Sequence, residues 1–227
     1  MFKKSLKFIR RNFNNATDGT WGSTAPLSKV FGSDRGTPID RYYIEKFLSN
    51  NRHLIKGKVL EIAESTYSKR FGNGVTSFEV LHFEGNPNAT IVADLTDPKT
   101  IPENMVNCFI CTQTIHMIYD FRAAIAGAHK LLDSGGTVLA TMPGITQVSR
   151  YDMDRWGDYW RFTTLSALKS FEDVFGIGNV SVDYFGNCLS ATSFLRGFAL
   201  EEMNQTDLDL RDPDYPVIIT IVATKKL

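Results

Sequence analysis

The sequence predicts an α/β fold: a seven-stranded, mostly parallel, doubly wound sheet with an N-terminal helical extension. Three observations predict it. Short apolar runs of strand length recur along the chain, as in Lys58–Ile62 and Asn107–Thr112. Amphipathic stretches of helical period, Phe121–Leu132 and Thr164–Phe175, separate some of them. Glycine and asparagine clusters punctuate the boundaries. Helices between successive apolar strands mean a mainly parallel sheet covered on both faces.

The chain divides into an extension, residues 1–37, and one domain, residues 38–227. Residues 1–13 are basic. Phe2, Leu6, Ile9 and Phe13 fall near one helical face, with Lys3, Lys4, Lys7, Arg10 and Arg11 mostly elsewhere. Such a segment suits an anionic membrane surface, a solvated arm, or a helix packed on a neighbouring copy in a homo-oligomer. Residues 14–37 are rich in Gly, Ser, Thr and Asn and read as a lead-in.

The domain opens at Thr37-Pro38, with proline suited to a first helical turn. Ile39, Tyr42, Tyr43, Ile44, Phe47 and Leu48 supply an apolar face, and Asn50-Asn51 marks the end. Strands are then expected at Lys58–Ile62, Ser77–Phe83, Thr90–Leu95, Asn107–Thr112, Thr137–Thr141, Val180–Phe185 and Pro216–Thr224. Ser134-Gly135-Gly136 is expected to stop the helix over Phe121–Leu132, because glycine accepts the left-handed conformation of a helix C-terminus.

Composition narrows the function. Lysine plus arginine number 25, matching aspartate plus glutamate at 25, and this balance argues against a dedicated nucleic-acid binder. No apolar run approaches the roughly 20 residues that span a bilayer. No secretory signal pattern is present. The three cysteines are too few and odd in number for a disulfide framework, which points to a reducing, cytoplasmic setting, with peripheral contact at the inner membrane a further option through residues 1–13. Cys108 and Cys111 form a CxxC, but residues three apart on a strand point to opposite faces, so both are expected as core thiols. No His/Cys/carboxylate cluster has metal-ligand spacing, and no metal is expected.

Ligands of open α/β sheets bind outside the carboxyl ends of the strands, at the switch point in strand order. Candidate residues stand at those places. Glu61 lies in the first strand, where a carboxylate needs partners: with the following Ala63, Glu64 and Ser65 it is placed to organise a loop around a cationic or polar ligand, or it forms a structural salt bridge. Glu84, after the second strand, stands where such sheets hold ribose hydroxyls, or is simply solvated. Asp94 and Leu95 end the third strand: Asp94 is placed to meet an adenine amino group, with Leu95 against the ring, or to cap the next turn. Gln113 and Thr114 follow the fourth strand and can bond the amino-acid end of a cofactor. His116 is the titratable group of that mouth, a candidate base or a structural histidine.

Together these residues resemble the class I S-adenosylmethionine-dependent methyltransferase family. Val59-Leu-Glu-Ile-Ala-Glu-Ser65 stands in place of its first motif, and Ile91–Leu95 looks like its adenine-contacting strand. Asn107–Tyr119 is similar to its fourth motif. Ala128–Ala140 matches its helix, double glycine and fifth strand. One departure is plain: Ala63, Ser65 and Tyr67 occupy the places of the first-loop glycines, which normally permit positive φ and close approach of a ligand. Gly32–Tyr43 and Ser149–Phe162 resemble a subgroup of small methyltransferases linked to bacterial glycan and glycosyltransferase systems.

The resemblance implies S-adenosylmethionine as cofactor and methylation of a sugar, a glycan intermediate or another small molecule. A non-catalytic binding protein of the same fold is the alternative. In the leading reading His116 is the base and Asp152 the second choice. The segment 149–162, with Tyr151, Trp156, Tyr159, Trp160 and Phe162 among Arg150, Asp152, Asp154, Arg155, Asp158 and Arg161, suits sugar faces, hydroxyls or phosphates, or forms a surface lid with internal ion pairs that shapes the pocket without touching substrate. Arg150, Tyr151, Trp160 and Arg161 are expected to contact the acceptor, together with Arg35 and Arg41 from the N-terminal side.

Overall fold

A computed structural model describes residues 23–226. The basic segment 1–13 and residues 14–22 of the lead-in lie outside the described residues. Seven strands form one sheet: β1 Gly57–Ile62, β2 Val75–His82, β3 Ile91–Val92, β4 Val106–Thr112, β5 Leu132–Pro143, β6 Val180–Phe185 and β7 Ile218–Thr224. Their spatial order is β3-β2-β1-β4-β5-β7-β6. Pairings from β3 to β5 are parallel, and β7 runs antiparallel to both β5 and β6. The order reverses between β1 and β4, and this is the switch point.

Two apolar layers cover the sheet. One contains Leu60, Phe109, Cys111, Val138, Ile125 and Phe171, and it draws on helices α3 (Phe121–Leu131) and α5 (Thr164–Phe175). The other contains Val59, Cys108, Ile110, Leu139, Tyr43 and Phe194, and it draws on α1 (Ile39–Asn50) and α6 (Cys188–Arg196). The two-residue period of β4 sends Cys108 and Cys111 to opposite layers, both fully buried. Burial pushes each thiol up to about 12, so neither is a thiolate at neutral pH.

α1 buries Ile39, Tyr43, Ile44, Phe47 and Leu48, the face its sequence spacing predicts. Pro38 stands one residue ahead of the helix, where it bridges Ala199. Tyr43 stacks on Phe185 at 5.3 Å, and its hydroxyl donates to Leu208 O at 2.9 Å.

Helix α3 ends earlier than the double glycine suggests. Its last residue is Leu131, and Leu132 is already extended, so Ser134-Gly135-Gly136 belongs to β5. Gly135 takes φ 77, and a Cβ on Gly136 would stand 2.9 Å from Asp133 O. The glycines therefore serve a tight, irregular strand entry rather than a helix cap. The short helices α2 (Thr66–Phe71), α4 (Arg150–Met153) and α7 (Gln205–Asp209) are too brief for a periodic signal in the sequence. Among the described residues, no helix is long and apolar enough to cross a membrane.

Candidate functional site

A cleft of about 610 Å³ opens at the carboxyl ends of β1, β4 and β5. Its floor includes Thr112, Gln113 and His116; one wall is formed by residues 29–44, the other by residues 146–161. The backbone at the switch point is strained on both sides. Ala63 follows β1 with φ 66, and Gln113 follows β4 with φ 46, conformations that L-residues avoid. Ala63 thus holds the left-handed turn for which a glycine would be the ordinary choice. Gln113 is pinned because its amide donates to Thr141 O at 3.0 Å. Strain of this kind persists where surrounding structure over-determines it, commonly at binding sites.

Glu61 is 3% exposed and points beneath the loop. Its two carboxylate oxygens accept the amides of Tyr67 at 2.9 Å and Ser68 at 2.8 Å. Those are the first-turn donors of α2, whose own cap residue, Ser65, makes no side-chain cap bond. Burial nevertheless outweighs these two bonds and raises the Glu61 carboxyl above its ordinary range. Glu61 organises the loop, as its place in the strand suggests, but it does so as a helix cap.

His116 is buried, 7% exposed, in the turn after β4. Burial pulls its imidazole down to about 4, so the ring is neutral at pH 7. Its Nδ1 has no hydrogen-bond partner among the described residues. Its Nε2 lies 3.9 Å from Oδ1 of Asp158. Burial alone would raise Asp158, but bonds from Arg161 and the Ser149 amide overcome it and hold the carboxyl below its ordinary range. Asp152 adds a second negative charge close enough to favour the protonated ring. Asp158 is one of the charged residues of segment 149–162, and it forms an internal ion pair there with Arg161. Its Asp-x-x-Arg spacing to Arg161 is the sequence signal of that pair.

The wall 146–161 is tied down internally. The amides of Tyr159 and Trp160 donate to His116 O at 3.1 and 3.2 Å. Arg161 grips Asp158 with two nitrogens and also donates to Gln147 O at 2.8 Å. Trp160 donates to Tyr119 O and packs edge-on against Phe121. Arg161 and Trp160 therefore frame the cleft, and the ring of Trp160 faces away from it. Arg150 and Tyr151 do line it; Tyr151 is 61% exposed and carries the Arg155 guanidinium 3.6 Å over its ring.

The remaining candidates divide. Glu64, Gln113, Arg41 and Asp152 line the cleft. Asp40 lines it too, and burial raises its carboxyl to about 6. Thr114 is outside the lining, with its hydroxyl given to Thr112 O. Ala63 and Ser65 shape the adjoining loop. Asp94 accepts from both the amide and hydroxyl of Thr96 at 2.8 Å, so one oxygen caps the following turn, and Leu95 is buried in the core. Glu84 is exposed at the mouth of β2 and makes no hydrogen bond or ion pair among the described residues.

Arg35 departs from its expected place. It is 5% exposed and forms a two-nitrogen ion pair with Glu202, which also accepts the Ala199 amide. The pair fastens residues 23–37 to the turn after α6. The partner lies 167 positions away in sequence, and no local pattern announces it.

No protein-family model matches this chain, and none of the curated proteins matches it. Solved structures do resemble it. One is the complex between the Haloferax volcanii Trm112 methyltransferase activator and a candidate methyltransferase: TM-score 0.52, 13% identity, covering 83% of this chain and 92% of that one. Another is an S-adenosylmethionine-dependent methyltransferase from Archaeoglobus fulgidus: TM-score 0.50, 10% identity, 82% and 94% covered. A third is the [4+2]-cyclase SpnF, with TM-score 0.52, 10% identity, and 99% and 93% covered. The architecture is the Rossmann-like fold of these methyltransferases. At such identities the likeness concerns the fold, and function has to be argued from the site.

Proposed function

We propose that this chain is an S-adenosylmethionine-dependent methyltransferase that methylates a hydroxyl oxygen of a sugar or glycan intermediate. The observation that supports it most is the meeting, in one cleft at the β1/β4 switch point, of a neutral His116 whose Nε2 faces Asp158 and a wall bearing Tyr151 and Arg150.

The rim suits an adenosyl ligand on three counts. Ala63 keeps the positive-φ turn that lets a ligand approach the backbone, although the glycines of the related motif are missing. Glu84 offers an uncommitted carboxylate where ribose hydroxyls are held in sheets of this kind. Leu95, buried behind Asp94, gives the turn after β3 an apolar backing. Ser65 and Thr114 would shape the edges of the pocket.

When bound, S-adenosylmethionine supplies a methyl group already activated on a sulfonium. The protein then has to align the acceptor, exclude water and receive a proton. Tyr151 stacks on an apolar sugar face, and Arg150 bonds hydroxyl or phosphate oxygens. Nε2 of His116, the ring nitrogen beside Asp158, receives the hydroxyl proton, and Asp158 and Asp152 stabilise the imidazolium that results. An imidazole held near 4 is a weak base, so its task is to take a proton released late, as the oxygen gives up its electrons to carbon. Asp152 is the second candidate for that role.

Isothermal calorimetry with S-adenosylmethionine and S-adenosylhomocysteine, followed by transfer of a labelled methyl group to sugars with free hydroxyls, tests the reading. His116→Ala should abolish turnover and leave cofactor affinity nearly intact; retained turnover removes His116 from the base role. Asp94→Ala should weaken cofactor binding by loosening its turn. A second reading, a binding protein without transferase activity, is favoured by the glycine-free loop. Cofactor binding without transfer to any oxygen or nitrogen acceptor would select it.

A further inference from the structure

Glu61 imposes a constraint on any adenosyl ligand with an amino-acid tail. A helix start after β1 would ordinarily offer its amides to an anion. Here the chain's own carboxylate already takes Tyr67 and Ser68. The tail's carboxylate must find another positive partner, and its ammonium must find another negative one than Glu61.

Two free charges stand beside that loop. Arg41, in the first turn of α1, lines the cleft and has no side-chain hydrogen bond or ion pair among the described residues. Its charge acts on Tyr67, the second residue of α2, which places it next to the plugged helix start. Glu64 lines the same cleft, is exposed, and its carboxylate is likewise uncommitted. Its charge acts on Glu61. Arg41 lies on the wall of residues 29–44 and Glu64 on the loop after β1, and the two are not ion-paired with each other. An arginine fork suits a carboxylate, and a carboxylate suits an ammonium.

We infer that Arg41 and Glu64 together clamp the zwitterionic amino-acid tail of the cofactor, Arg41 its carboxylate and Glu64 its ammonium. This rests on the adenosyl reading above, and it reassigns Arg41 from the acceptor, where the sequence places it, to the cofactor.

Calorimetry on the full chain tests the clamp with two ligands that differ in the tail: S-adenosylhomocysteine, which has it, and 5′-methylthioadenosine, which lacks it. Arg41→Gln and Glu64→Gln should each weaken S-adenosylhomocysteine about tenfold, the scale of one charged hydrogen bond. Both should leave 5′-methylthioadenosine unchanged, and Arg41→Lys should recover part of the loss. Equal loss for both ligands, no loss for either, or a tail-selective loss in Arg150→Gln instead, overturns the clamp. A wild-type chain that binds both ligands equally well refutes the clamp alone. A wild-type chain that binds neither refutes the adenosyl reading, and the clamp falls with it.

Discussion

Nε2 of His116 lies 3.9 Å from Oδ1 of Asp158, while Arg161 and the Ser149 amide already hold that carboxylate in place. The acid is thus fixed before the imidazole needs it. In Asp158→Asn the ring loses the charge that favours its protonated form, so its titration midpoint should move below that of wild type. Side-chain NMR titration of His116 reads this directly, and an unmoved midpoint would remove Asp158 as its partner.

The same histidine makes stability depend on pH. Its folded value, about 4, lies below its unfolded value of about 6.5. The unfolded chain therefore binds more protons between those values. The neutral ring is accommodated without penalty above about 6.5, and stability is lost as pH falls from there towards 4. The loss amounts to at most about 3 kcal/mol. His116→Gln should shrink the difference in urea midpoint between pH 7 and pH 5. An undiminished difference would mean that other groups govern the acid limb.

Glu61→Ala should destabilise the fold by about 2 kcal/mol, since two first-turn amides lose their acceptor in a buried place. Hydrogen exchange at Tyr67 and Ser68 should accelerate before exchange elsewhere in the sheet. Full protection of both amides in the variant would show that Glu61 is not their cap.

Ala63 occupies φ 66. Ala63→Gly should raise the unfolding free energy by up to about 1 kcal/mol, the scale of left-handed strain on a Cβ. Ala63→Val should lower it by more. Chemical denaturation of both variants checks the sign, and a destabilised glycine variant would contradict it.

Arg35 and Glu202 are both buried, so removing one strands the other. Glu202→Ala should cost about 3–5 kcal/mol, whereas Arg35→Met combined with Glu202→Leu should cost far less. A thermal-melting double-mutant cycle measures the coupling; additive losses would reduce the pair to a surface contact.

The parts of this fold that sequence makes legible are those with local causes. The apolar runs of β1, β4 and β7 and the period of α1 follow from burial on fixed geometry, and Cys108 and Cys111 separate to opposite layers by strand alternation alone. The parts that stay hidden depend on distant partners. Nothing near Arg35 announces Glu202, and nothing near His116 announces Asp158, 42 positions on. Ser134-Gly135-Gly136 misleads because glycine serves helix ends and strand irregularities equally well, and only packing against Val106 and Asn107 decides between them.

The strand made last, β7, is an interior one, hydrogen-bonded to β5 on one side and β6 on the other. A ribosome-bound chain that has not yet exposed Ile218–Thr224 has a slot where that strand belongs, with two unsatisfied edges facing each other across it. Completion of the sheet must wait until β7 is available, and until then those edges are the places where a chaperone or a stray strand would bind.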